Sequence, residues 1–211
     1  MTSIFVLFSC VSLADGDAEL DRFLEQWATD FKDTKTLEVR FEQEKRLKVL
    51  QRPLKSTGTI RVAEGILHCA VRNARGVVDT VLSVGEKKLR LYYPQLNRLE
   101  VYELGGSKAP AMALPVFGTD PKTLKRDFHA RLEKSGETRR LKLRPRNAAS
   151  PIGSMELVFE GKEIKEVRQI EKGGNSVHMR ITSFGRNAKI RRKDLELKVP
   201  PGTKIVKENN E

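Results

Sequence analysis

At 211 residues the chain has room for one large domain, and its 38% apolar and 32% charged residues, with both signs well mixed, describe a folded body rather than a disordered tract. The formal charge of +12 raises nucleic-acid binding, but the basic residues are spread along the whole chain and interleaved with acids, as in Arg40-Phe41-Glu42-Gln43-Glu44-Lys45-Arg46. That pattern excludes a compact phosphate-tracking stripe, so no nucleic-acid partner is expected; attraction to an anionic lipid surface stays open.

Met1 to Ala14 carries no charge and contains the apolar run Ile4-Phe5-Val6-Leu7-Phe8. It is too short for the roughly 20 residues that span a bilayer. It suits a signal peptide, residues 1–14, with the small residues of Ser12-Leu13-Ala14 before a cleavage point at Asp15, and it lacks only a basic start. An alternative is lipid anchorage through Cys10, since Leu7-Phe8-Ser9-Cys10 is similar to a lipobox. Cleavage after Ala14 leaves Cys69 as the single thiol, so no internal disulfide is expected. The remainder, 15–211, is expected to form one domain.

From Asp17 to about Asp33, Leu20, Phe23, Leu24, Trp27 and Phe31 recur at steps of three and four, predicting an amphipathic helix capped by Asp15 or Asp17. The period then changes to two. Leu37, Val39 and Phe41 alternate with Glu38, Arg40 and Glu42, and strand-like runs follow at about 56–63, 66–72, 77–84, 87–93 and 97–104, separated by turns too short for crossover helices. Lys108 to Gly118 breaks the alternation: it is apolar, and Pro115 rules out a long helix. Here Met112, Leu114, Val116 and Phe117 suit either a movable cover or an ordinary core plug. A short helix from about Asp120, with Pro121 at its first position, comes next. Strands resume at about 128–134, 138–144, 154–160, 163–171, 175–183 and 194–199. Twelve strands with three short helices predict a mainly β fold: a strongly curved, unclosed antiparallel barrel, helices against its concave side and an apolar cavity where filling is incomplete.

The search for chemistry ends without a catalytic constellation. His68, His129 and His178 lie in separate strands without zinc-site spacing, Gly105-Gly106 and Gly173-Gly174 read as turns, and Glu42 and Glu44 share a solvated strand face. No enzyme activity, cofactor or metal is expected.

Several segments, in order, resemble the periplasmic outer-membrane lipoprotein carrier family. Phe41-Glu42-Gln43 and Ser56-Thr57-Gly58 are similar to its Phe-x-Gln and Ser-x-Gly strands, Gly85-Glu86-Lys87-Lys88-Leu89-Arg90-Leu91-Tyr92-Tyr93-Pro94 to its central hairpin, Leu143-Arg144-Pro145 to its Leu-x-Pro strand end, and Pro200-Pro201-Gly202 to its Pro-x-Gly close. The resemblance implies a lid of helices over an apolar cavity that holds the acyl chains of lipoproteins or another lipid. It also implies a monomer that meets an inner-membrane lipoprotein-releasing transporter and an outer-membrane acceptor, in the periplasm. Strand alternation places Leu37, Val39, Phe41, Ile60, Val62, Leu67, Leu89, Leu91 and Tyr93 on the concave face, with Met112, Leu114 and Phe117 in the lid. Ala63-Glu64-Gly65 and Cys69 replace the family's Arg-Pro turn and downstream Trp, and in the family that Arg helps latch the lid. The same fold would also serve a lipid-sensing envelope regulator or an outer-membrane lipoprotein acceptor.

Overall fold

The structure is a computed structural model, described here for residues 13–85, 87–103 and 120–208. The expected signal segment up to Ser12 and the apolar stretch around Met112, Leu114, Val116 and Phe117 lie outside the described residues.

The first helix, α1, runs Leu13–Lys32. It starts earlier than the sequence suggests, so Asp15 and Asp17 fall inside it and neither caps it. The predicted stripe is buried: Leu20, Phe23, Leu24 and Trp27 are all less than 10% exposed. A second helix, α2 (Pro121–Asp127), begins as expected, with the Asp120 carboxylate accepting a hydrogen bond from the Thr123 amide at 3.0 Å and Pro121 in the first turn, where its missing N–H costs nothing. Leu124 anchors α2 in the core, and the Lys125 ammonium donates to Asp21 of α1.

Among the described residues twelve strands form one sheet. The first six, β1 (Thr36–Arg46), β2 (Leu54–Ala63), β3 (Ile66–Asn73), β4 (Val78–Val84), β5 (Lys88–Tyr93) and β6 (Arg98–Glu103), make an antiparallel meander. A second meander follows: β7 (Phe128–Ser135), β8 (Thr138–Pro145), β9 (Ile152–Glu160), β10 (Glu163–Glu171) and β11 (Ser176–Arg186). Pairing of β1 with β11 joins the two, and β7 ends the sheet on one side. The sheet does not close.

The last strand corrects the sequence reading in position and direction. β12 is Lys204–Glu208, not 194–199, and it pairs with β6 in parallel. The stretch after the short 3-10 turn at Arg192–Leu195 has no ladder partner; it is extended and lays Leu197 and Val199 on Val81, Tyr92 and Leu99, on the outer face of β4–β6. Parallel pairing needs a long return, and the chain from β6 to β12 supplies it. Asn97, in the left-handed region, stitches the return: its side-chain amide donates to the Gly202 carbonyl at 3.2 Å and its own carbonyl accepts from the Lys204 amide at 2.9 Å.

The two motifs that open the family resemblance face each other across one ladder. Phe41 pairs with Gly58 and Gln43 with Ser56. A Cβ at Gly58 would lie 2.2 Å from Phe41 Cζ, so the phenyl ring occupies the space that a side chain would need. The glycine is there to admit the ring, and Phe41 is 2% exposed as a result.

Candidate functional site

Antiparallel register carries a side chain's face from strand to strand, so the inner face can be read as rows. One row runs Leu37, Val62, Leu67, Val84, Leu89, Tyr102 from β1 to β6. The next runs Val39, Ile60, Cys69, Leu82, Leu91, Glu100. A third begins Phe41, Gly58, Val71, and by alternation along β5 Tyr93 shares this face. The nine strand residues predicted for the concave side therefore stand on one face, in adjacent rows.

They do not share one environment. Leu37, Val39, Phe41 and Ile60, all at most 3% exposed, belong to the main core with Leu20, Phe23, Leu24 and Trp27 of α1 and with the inner residues of β8–β11. Aromatic rings fix the helix there: Trp27 meets Phe159 edge-on at 5.4 Å and Phe31 at 6.2 Å, and the Arg186 guanidinium lies 4.6 Å from the Phe31 ring centre. Leu89 and Leu91 belong to a second cluster with Leu82, flanked by Leu67, Cys69, Val84, Tyr93 and Tyr102. Among the described residues this second cluster consists of strand side chains alone. Leu67 and Cys69 touch both clusters and so form the seam.

At β6 the apolar rows end in a polar group. Glu100 pairs with Arg98 at 2.7 Å and accepts from the Tyr102 hydroxyl at 3.0 Å. The Tyr93 phenol is pushed up by burial and by the Glu100 carboxylate beside it. Sequence reasoning missed this group, together with Leu82 and Val84; the alternation of 77–84 carried the signal for the latter two, once its register with β5 is fixed.

A hollow of about 280 Å³ opens beside α1, lined by Phe31, Thr34, Leu37 and Val62 among others. That is just short of the roughly 300–1,000 Å³ of small-molecule pockets, so this hollow alone cannot enclose a long acyl chain. A larger one, about 400 Å³, lies at the far end of β1–β3 among Glu42, Glu44, Lys55, His178 and Arg180, away from the apolar rows. Its charged walls suit water better than hydrocarbon.

Burial pushes the Cys69 thiol up to about 12, and the side chain packs in the seam, so no thiolate forms near neutral pH. His178 is 3.0 Å from Glu166, and His129 lies beside Arg146. Among the described residues no cluster of His, Cys, Asp or Glu could hold a metal ion.

A family model described as outer membrane lipoprotein carrier protein LolA matches residues 32–197. The chain belongs to the LolA family. No curated protein matches the chain by sequence. An uncharacterized conserved protein from Thermus thermophilus is similar in structure, with a TM-score of 0.52 and 11% identity over 91% of this chain and 99% of that one. A putative outer membrane lipoprotein-sorting protein domain from Vibrio parahaemolyticus gives 0.49 and 12%, covering 87% and 97%. A LolA superfamily protein from Nitrosomonas europaea gives 0.42 and 10%, covering 84% and 97%. At 11% identity the first likeness is one of fold. Between β2 and β3 the chain makes a tight turn with Glu64 and Gly65 both at positive φ, 50° and 72°, and Cys69 faces Ile60 and Leu82.

Proposed function

We propose that the protein is an exported carrier that holds the acyl chains of lipoproteins, or of a related lipid, on the strand-only half of its inner face and moves them toward the outer membrane. The observation that carries this reading is the continuation of the apolar rows past the cluster that α1 fills, onto Leu82, Leu89 and Leu91. Glu103 and Asp120, the described residues flanking the insert, lead from β6 near one edge of the sheet to α2 and β7 at the other. The proposal gives Met112, Leu114 and Phe117 the part of a lid over the second cluster. Each exposed methylene of a lipid costs about 0.8 kcal/mol in water, so a multiply acylated cargo needs such a cover. A lid whose open and closed forms differ by a few kcal/mol both holds and releases it.

Export follows the same reading. A chain processed after Ala14 keeps the whole buried stripe from Leu20 onward, and mass spectrometry of the mature N-terminus separates cleavage at Asp15 from lipidation at Cys10. The protein is expected to yield acyl lipid on solvent extraction and to bind a fluorescent fatty acid. Val84→Asp, at a half-buried position beside Leu89, is expected to lower that binding at least tenfold with an unchanged circular dichroism spectrum, since a carboxylate against hydrocarbon is costly. No extracted lipid together with no fatty-acid binding would overturn the proposal. Phe41→Asp tests folding instead, because Phe41 is sealed under α1 against Gly58.

A further inference from the structure

Because β1 to β12 all lie in one sheet, each loop belongs to one of its two ends. One end holds the β1–β2, β3–β4, β5–β6, β8–β9 and β10–β11 connections and the starts of β7 and β12. Among the described residues, every exposed large hydrophobic side chain is at this end. Val49, 88% exposed, and Leu50 sit in the β1–β2 loop, Leu54 starts β2, and Val77 precedes β4. Leu96, 70% exposed, is in the turn before β6, Ile170 is next to last in β10 and Ile205 is second in β12.

The β1–β2 loop at this end is also basic. Residues 45–55 contain Lys45, Arg46, Lys48, Arg52 and Lys55 and no acid. Among the described residues only Arg46 of these five is in an ion pair, with Glu44 at 2.7 Å. The nearby Glu42 is offset by Arg180 at 3.5 Å. At the opposite end the exposed acids Glu64, Glu137, Glu160 and Glu163 stand among exposed cations such as Lys87, Lys162 and Arg192, the last paired with Glu64 at 3.6 Å. The loop is also held in place, because the Lys48 amide donates to the Asn175 side chain at 3.2 Å and the Lys48 side chain lies over Gly174 of the β10–β11 turn.

We propose that this end docks on a bilayer of anionic phospholipids. Apolar tips surrounded by cations are the chemistry of interfacial binding: the cations meet the lipid phosphates and the apolar tips enter the acyl boundary. The tips are strung along the rim of a curved sheet, which meets a plane along an arc, whereas a peptide or nucleic acid calls for a groove. The inference does not rest on acyl carrying, since delipidated protein is expected to bind the same membrane.

Flotation with vesicles decides it. The delipidated chain is expected to float with phosphatidylcholine vesicles containing about one-third phosphatidylglycerol, and to float much less with phosphatidylcholine alone or in about 0.5 M salt. Lys48→Gln with Arg52→Gln is expected to lower partitioning about 30-fold, at roughly fivefold per cation. Val49→Asp with Leu50→Asp should lower it at least tenfold, and both positions are exposed enough to leave the fold intact by circular dichroism. Lys189→Gln with Lys193→Gln removes the same charge away from this end and should change partitioning less than about twofold. Equal binding to neutral and anionic vesicles, or an equal loss in the Lys189/Lys193 variant, overturns the proposal. So does indifference to Val49→Asp/Leu50→Asp with duplex DNA competing as well as lipid, which would mark plain polyanion adsorption.

Discussion

From β8 through β11 to β2, the inner face of the sheet is sealed by α1: Trp27, Phe23 and Leu24 interleave with Phe159, Leu157 and Val39, and each of these is under 10% exposed. On β3–β5 the same face is apolar by the same alternation, but among the described residues no helix contributes to its cluster, and its backing comes from behind, where Leu197 and Val199 lie on Val81, Tyr92 and Leu99. One half is a finished core and the other a supported wall. An identical pattern of strand residues thus lies under a helix in one place and, among the described residues, without one in the other.

Substitutions that hollow the finished half should cost most. Trp27→Ala is expected to lower unfolding free energy by about 4 kcal/mol in urea titration, since the indole is 3% exposed and in edge contact with two rings. Gly58→Val should cost about 3 kcal/mol by forcing Phe41 from its seat, and the loss should shrink when Phe41→Leu is made as well, a coupling that only direct contact gives. In the wall, Leu82→Ala should cost about 2 kcal/mol, at the low end for a buried leucine. A loss there as large as that of Trp27→Ala would erase the distinction between the halves.

The smallest effect is expected from pH, on the outer face of β1–β3. Burial, with the nearby Arg61, lowers the pKa of His68 from its ordinary 6.5. The unfolded chain therefore takes up the proton first, and stability declines as pH falls through about 6.5. A hydrogen bond from Arg61 at 2.8 Å, joined by Arg40, holds the Glu38 carboxyl below its ordinary 4.5, so its contribution is present above that value and is lost in more acid solution. Urea midpoints should fall in two stages, and His68→Asn should remove only the first.

Much of this was legible in the sequence because two signals are local. A period of two located eleven of the strands, and a period of three to four located the stripe of α1. The misreading at 194–199 shows what the first signal measures. Leu195, Leu197 and Val199 do alternate with polar residues, and each is buried or packed as alternation requires, yet the segment pairs with no strand. Alternation reports that one side of an extended chain is dry; it does not report hydrogen bonding. The start of α1 was misplaced because either aspartate would serve as a cap, and only the tertiary setting decides whether the helix extends past both. The division of the inner face into core and wall was not legible, since it depends on which strands α1 comes to rest against. The polar group of Glu100, Arg98 and Tyr102 needed the β5–β6 register before its members could be seen together.

An unclosed sheet has a further consequence, at its margins. β7 and β12 each turn one side away from every other described strand, and such margins invite another copy to add on. β12 is only five residues long and carries Lys204 and Lys207; β7 exposes Arg131 and Lys134. Two copies meeting margin to margin would bring like charges together, so the molecule can remain open enough to work without growing into a fibre.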